Sequence, residues 1–175
     1  MNYYSGLGDS PQVKITDEIK RIASGLKGQS GRETAMNIIK WIKENLKLKK
    51  ASELPNPALL FRRRTADQII RDGFVTGCAD ATIVFLALCR ALGIPAIYCE
   101  LAVPEKGHFG HVWAKCFLDN AWVDVDPMNG TVGEDVAKKF EKYGKVYILG
   151  SGADSWDIGI ECWEDFVRKV SKLRR

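Results

Sequence analysis

Apolar positions recur at helical spacing four times in the first half of the chain, and the texture turns extended after Pro95. Ile19, Ile22, Ala23 and Leu26 share one face of a short helix that Thr16 or Asp17 can cap, with Gly25 and Gly28 weakening and ending it. A second helix is expected over residues 32–46, with Ala35, Ile38, Ile39, Ile42 and Leu46 spaced for burial and Trp41 beside that stripe. Residues 51–64 hold Pro55, Asn56, Pro57 and three consecutive arginines, and read as a surface loop with room for a turn of helix. Thr65 then caps a short helix through Ile69 and Ile70 that Gly73 closes. The fourth helix, over residues 76–92, has only Asp80, Thr82 and Arg90 as clearly polar interior positions. A helix apolar nearly all the way round has to be buried on most faces. Gly93 supplies its left-handed terminal residue, and Pro95 blocks continuation.

Residues 96–103 read as a strand ending in a turn at 104–107. Residues 110–118 and 121–126 read as two strands joined at Asp119-Asn120, residues that tolerate the backbone angles of a two-residue hairpin turn. That turn pairs Leu118 with Ala121, Trp113 with Asp126 and His111 with Met128. Side chains alternate faces along a strand, so His111, Trp113 and Asp126 point the same way, and His111 and Asp126 are diagonal neighbours within side-chain reach. A loop at 127–133, a helical piece over 134–143, a strand at 146–149, a Gly- and Asp-rich loop and a closing amphipathic helix from about residue 161 complete the pattern. The expected architecture is α+β: one domain over residues 1–175, with an irregular lead-in (1–15), a helical half (16–93), a sheet half (94–150) and a final loop and helix (151–175).

Composition changes this picture little. At 175 residues, 46% hydrophobic and 27% charged, the chain can bury a proper core without staples. The net charge of +4 tolerates acidic partners without demanding them. Basic clusters at 47–50, 62–64 and 168–175 come with no nucleic-acid-binding motif, so they read as solvated helix ends and loops, with nucleic acid not expected as a partner. Five cysteines, an odd number without a CxxC pair, fit neither a disulfide framework nor structural zinc. The N-terminus lacks the features of a signal peptide, and the longest apolar run, 81–89, is too short to cross a membrane. A reduced, soluble, cytoplasmic protein is the simplest expectation.

Three residues carry the candidate chemistry. Cys78 follows Gly77 in the first turn of the buried helix, where unpaired N–H groups and the macrodipole favour a thiolate. From the helix alone, Cys78 is equally readable as a small core residue. Asp126 can fix the tautomer of His111 and stabilise its imidazolium, leaving the opposite ring nitrogen to face a nucleophile. The remaining cysteines, Cys89, Cys99, Cys116 and Cys162, read as inert packing thiols. His108 lacks the further ligands a metal site needs, so no metal or cofactor is expected, and it reads as part of the substrate mouth or of a mobile loop. Trp113 and Trp122 read as core or cleft-wall residues, and Trp113 is expected to shield the His111–Asp126 pair from water.

The order Cys78, His111, Asp126, with the cysteine on a helix and the others on adjacent strands, resembles the transglutaminase-like superfamily of papain-type folds. Thr76-Gly77-Cys78 leads into Leu88-Cys89-Arg90-Ala91-Leu92-Gly93-Ile94-Pro95-Ala96, similar to the family's Cys helix and its "aLGIPAR" ending. Gly110-His111-Val112-Trp113 resembles its "HxW" block, and Ala121-Trp122-Val123-Asp124-Val125-Asp126-Pro127 its "GWvpvDP" block. Residues 38–45 resemble the "wv.en" segment, so the likeness runs from about Ile22 to Met128. Ile97 stands where many members have Arg, and Lys115 where many have an acid. The resemblance implies a papain-like core with a central buried Cys helix on an antiparallel sheet. It also implies thiol acyl transfer on a peptide or protein amide, with Cys78 as nucleophile, His111 as acid–base and Asp126 as orienter. Gly77, His108 and Trp113 would lie at the cleft. The backbone N–H of Cys78 offers one oxyanion donor, and Gln68, Trp41 and Thr76 are candidates for a second. Water as acceptor gives hydrolysis and an amine gives cross-linking. Hydrolysis is expected, because the chain lacks the extra domains of cross-linking relatives. A catalytically silent peptide-binding module on the same fold is the alternative, favoured if the 127–133 or 151–160 loop covers the thiol.

Overall fold

The computed structural model describes residues 8–107 and 109–173. Helix α1 (Asp17–Ser24) is capped by Thr16, whose side chain accepts from the Ile19 N–H, and α2 (Gly31–Asn45) is capped by Ser30. Helix α3 (Ala66–Asp72) starts at a Thr65–Gln68 capping box and stops at Gly73, whose φ of 71° is in the left-handed region. Helix α4 (Cys78–Ala91) is buried at every position from Ala79 to Arg90. The three earlier helices pack around it, and the sheet covers its remaining side.

That sheet has five strands in the order β6-β5-β4-β3-β7, all antiparallel: β3 (Ala96–Val103), β4 (Phe109–Leu118), β5 (Ala121–Asp126), β6 (Thr131–Val132) and β7 (Tyr147–Gly152). The β4–β5 register has Leu118 opposite Ala121 and Ala114 opposite Val125, as the two-residue turn requires. Both turn residues have positive φ, 49° at Asp119 and 69° at Asn120. Val112, Ala114, Cys116 and Val125 join the core around α4. On the other face, Ile97, Cys99, Leu101 and Trp113 pack with Val136 and Phe140 of helix α5 (Val136–Phe140). Covered on both sides, all eight residues of β3 are buried. Helix α6 (Trp163–Lys172) packs Phe166 and Val170 against Ala102 and Ile160.

The structure departs from the sequence pattern in four places. Two short strands, β1 (Lys47–Leu48) and β2 (Phe74–Val75), form a separate parallel pair too brief for any periodicity to announce. The 127–133 loop contains β6. The lead-in, whose residues 1–7 lie outside the described residues, buries Gln12 and Val13. Residues 51–64 are no simple surface loop: Arg62 and Arg64 are only 7% and 5% exposed. The reason is electrostatic. Glu100 on β3 and Asp80 on α4 are buried carboxylates that need partners. Arg62 Nη2 donates to Glu100 Oε1 at 2.7 Å, and Arg64 Nη2 to Asp80 Oδ2 at 2.5 Å.

Asp119 also binds the sheet to the helices, its carboxylate accepting from the Gly31 N–H (2.7 Å) and the Arg32 N–H (3.2 Å) at the start of α2. While the Ser30 cap remains, Asp119→Ala leaves a residue at positive φ without compensating bonds and strips the Gly31 and Arg32 N–H groups at the start of α2 of their acceptor. It is expected to cost about 1–2 kcal/mol of unfolding free energy, read as a lower urea midpoint at unchanged slope.

Candidate active site

Strand β5 ends opposite Trp113, so Gly110 and His111 of β4 have a paired strand on one side only. The N-terminus of α4 approaches this open stretch: Gly110 lines the same cavity as Gly77 and Cys78. Cys78 is half-buried there, and the thiols of Cys89, Cys99 and Cys116 are buried. Burial pushes the Cys99 thiol up to about 11. Cys162 is partly exposed, its Sγ 3.2 Å from the Asp165 carboxylate.

His111 Nε2 lies 2.7 Å from Asp126 Oδ2, which leaves Nδ1 as the other ring nitrogen. Asp126 is fixed in turn by Asn129, whose backbone N–H donates to Oδ1 (3.0 Å) and whose side-chain amide donates to Oδ2 (2.7 Å). Burial works against the Asp126 charge, but the bond from His111 and those from Asn129 outweigh it and hold the carboxyl below its ordinary range. Burial likewise disfavours the imidazolium, yet hydrogen bonds with Asp126 and Cys78 raise His111 to about 9. One face of the ring is covered by Phe140, stacked at 4.6 Å between centroids and 19° between planes.

Cys78, His111 and Asp126 are therefore brought together. Gly77 lies beside Cys78 on the cavity wall, whereas Trp113 does not. Trp113 is 2% exposed within the α5-side core and borders a separate hollow with Trp122 and Lys115. The ring that screens His111 is Phe140, which the sequence reading overlooked because it lies in a five-residue helix. His108 lies outside the described residues. Among the candidates for a second oxyanion donor, Gln68 closes the α3 capping box and Trp41 packs on the main core. Thr76 gives both its N–H and its hydroxyl to Asp80 Oδ2, at 2.8 and 2.7 Å. Asn129 has a readable signal of its own, since an Asn three residues after Asp126 and two after Pro127 marks a turn. Arg62 lines the Cys78 cavity, and its signal was Glu100, a lone charge in an otherwise apolar strand. Among the described residues no cluster of His, Cys, Asp and Glu could hold a metal, and no helix is long and apolar enough to cross a membrane.

The His111 shift has a stability consequence. A folded-state value of about 9, above the ordinary 6.5, means the pairing contributes fully below about pH 6.5 and is lost as pH rises through 9. Unfolding free energy should fall over that window by an amount on the order of 3 kcal/mol at most. NMR titration of the His111 ring should show a midpoint above its ordinary value, and Asp126→Asn should lower that midpoint by about a unit or more and flatten the stability profile.

A crystal structure from Cytophaga hutchinsonii, presented as that of a candidate cysteine protease, matches this fold with a TM-score of 0.66. It is 19% identical, and the match covers 92% of this chain and 50% of that one, so this chain spans half the length of that protein. No curated protein is similar to it by sequence. The model of the transglutaminase-like superfamily matches residues 19–127, a stretch that includes Cys78, His111 and Asp126. The chain belongs to the transglutaminase-like superfamily.

Proposed function

We propose that this protein is a thiol-dependent amide hydrolase or acyltransferase that works through Cys78, His111 and Asp126. The observation that carries this reading is the imidazole of His111, bonded on one nitrogen to a carboxylate that Asn129 fixes, and near enough to the Cys78 sulfur for that sulfur to help hold its cation. His111 takes the proton of the Cys78 thiol, and Sγ attacks the carbonyl carbon of a peptide or protein amide, forming an S–C bond while the π electron pair moves to oxygen. His111 delivers its proton to the leaving nitrogen, the C–N bond breaks, and a thioester remains. Water or an amine then attacks the thioester with His111 as base, releasing the acyl group and restoring the thiol. Asp126 holds the ring and stabilises its cation in both halves. The cavity at Cys78, about 190 Å³, takes no lining residue from the 127–133 or 151–160 loops, which favours an open thiol over the silent binding module.

Two measurements test this. At pH 6, iodoacetamide should alkylate Cys78 about tenfold or more faster than the other four cysteines, and His111→Ala should remove that advantage. Equal labelling of all five counts against the proposal. Purified protein tested on peptide and glutamine-amide substrates, with and without a primary amine, should turn over at least one class, with Cys78→Ser as the blank. Release of acid alone identifies water as the acceptor, and amine incorporation identifies transfer.

A further inference from the structure

The Cys78 cavity contains a cation that the acyl-transfer scheme leaves without a task. Arg62 lines this cavity together with Cys78, Phe61 and Trp163. Its guanidinium lies 4.4 Å over the Phe61 ring and gives Nη2 to Glu100 Oε1. Glu100 Oε2 is in turn occupied by the Tyr98 hydroxyl at 2.7 Å. No other bond from the guanidinium is formed within the described residues, and its Nε is enclosed without any partner. A buried cation with donors to spare is costly unless something else uses them.

The backbone is also held in an unusual shape at this residue. Arg62 has φ 60°, a left-handed conformation that costs a non-glycine residue on the order of 1 kcal/mol or more. Its carbonyl is gripped by Gln12 Nε2 (3.1 Å) and Trp156 Nε1 (2.6 Å), which come from segments far apart in the chain. Burial opposes the guanidinium charge, and Glu100, with smaller contributions from Tyr98 and the Cys78 sulfur, more than offsets it.

We infer that Arg62 is a catalytic residue: its guanidinium donates a hydrogen bond to the acyl oxygen of the substrate and, with the Cys78 N–H, forms the oxyanion hole. This rests on the acyl-transfer reading. As Sγ bonds to the carbonyl carbon, the C=O π pair becomes a localised negative charge on oxygen. A fixed cation on the cavity wall stabilises that charge more than it does the neutral carbonyl. The Cys78 N–H is at the first position of α4, where no intrahelical acceptor exists. Arg62 supplies the second donor that Gln68, Trp41 and Thr76 do not.

The test separates oxygen from sulfur. A peptide aldehyde, N-acetyl-phenylalaninal, takes up the Cys78 thiolate reversibly at its carbonyl carbon, with the C=O π pair moving to oxygen as the oxyanion, and has no carboxylate to bind. Iodoacetamide alkylates the same thiol by displacing iodide and creates none. Arg62→Lys, which keeps a cation for Glu100, should weaken aldehyde inhibition and lower kcat by about 100-fold or more, with KM and the pH profile of alkylation little changed. If Arg62→Lys does not fold, judged by its thermal transition, the double variant Arg62→Met/Glu100→Leu removes both buried charges together and should show the same split. Aldehyde affinity within a few-fold of wild type in the folded variant overturns the inference. Parallel loss of aldehyde binding and alkylation also overturns it, because Arg62 would then act on the thiol. If wild type alkylates selectively but forms no aldehyde adduct, the acyl-transfer reading fails first and takes this inference with it.

Discussion

Helix α4 offers water no face, since Ala79 through Arg90 are all buried, and that single requirement organises the chain. Three helices and a sheet are needed to enclose it. The charged residues it carries inward then dictate long-range ties. Asp80 draws in Arg64 and Thr76, and Arg90 reaches the carbonyls of Ala96 and Ala153. A buried charge left alone costs several kcal/mol, on the order of 3–5 when one partner of a pair is removed. These ties are therefore as much a condition of the fold as the apolar packing. They also fix the N-terminal end of α4, where Cys78 sits.

Two buried ion pairs lie near Cys78 and differ in kind. In one, His111 and Asp126 hold a ring at a set angle and make its cation persist. In the other, Arg62 and Glu100 hold a cation that does not titrate, beside the same sulfur. Both are supported by neutral donors from elsewhere: Asn129 on Asp126, Tyr98 on Glu100, Gln12 and Trp156 on the Arg62 backbone. Each charged group therefore has its own scaffold.

Much of this was legible in residue order. The helical stripes, the glycine stop at Gly73 and the Asp119-Asn120 turn each rest on a local rule, and a local rule needs only neighbours in sequence. The His111–Asp126 contact was readable for the same reason, because a two-residue turn fixes the register of everything behind it. What escaped was non-local. The burial of Arg62 follows from Glu100, 38 residues away, and nothing inside Arg62-Arg63-Arg64 distinguishes the buried pair from the exposed Arg63. Phe140 over His111 and Gln12 under Arg62 belong to segments whose own patterns are weak, so only the folded neighbourhood gives them roles.

The anchored tip of the β4–β5 hairpin limits how this chain can vary. With Asp119 fastened to the start of α2, an inserted residue cannot simply bulge into solvent there. It would have to be absorbed along the strands, and a one-step displacement turns His111 away from Asp126 toward the opposite face. Lengthening the β3–β4 connection, by contrast, leaves the β4–β5 pairing as it is, because that register is counted from the Asp119-Asn120 turn. Descendants of this protein should therefore accumulate length at the second junction and conserve it at the first.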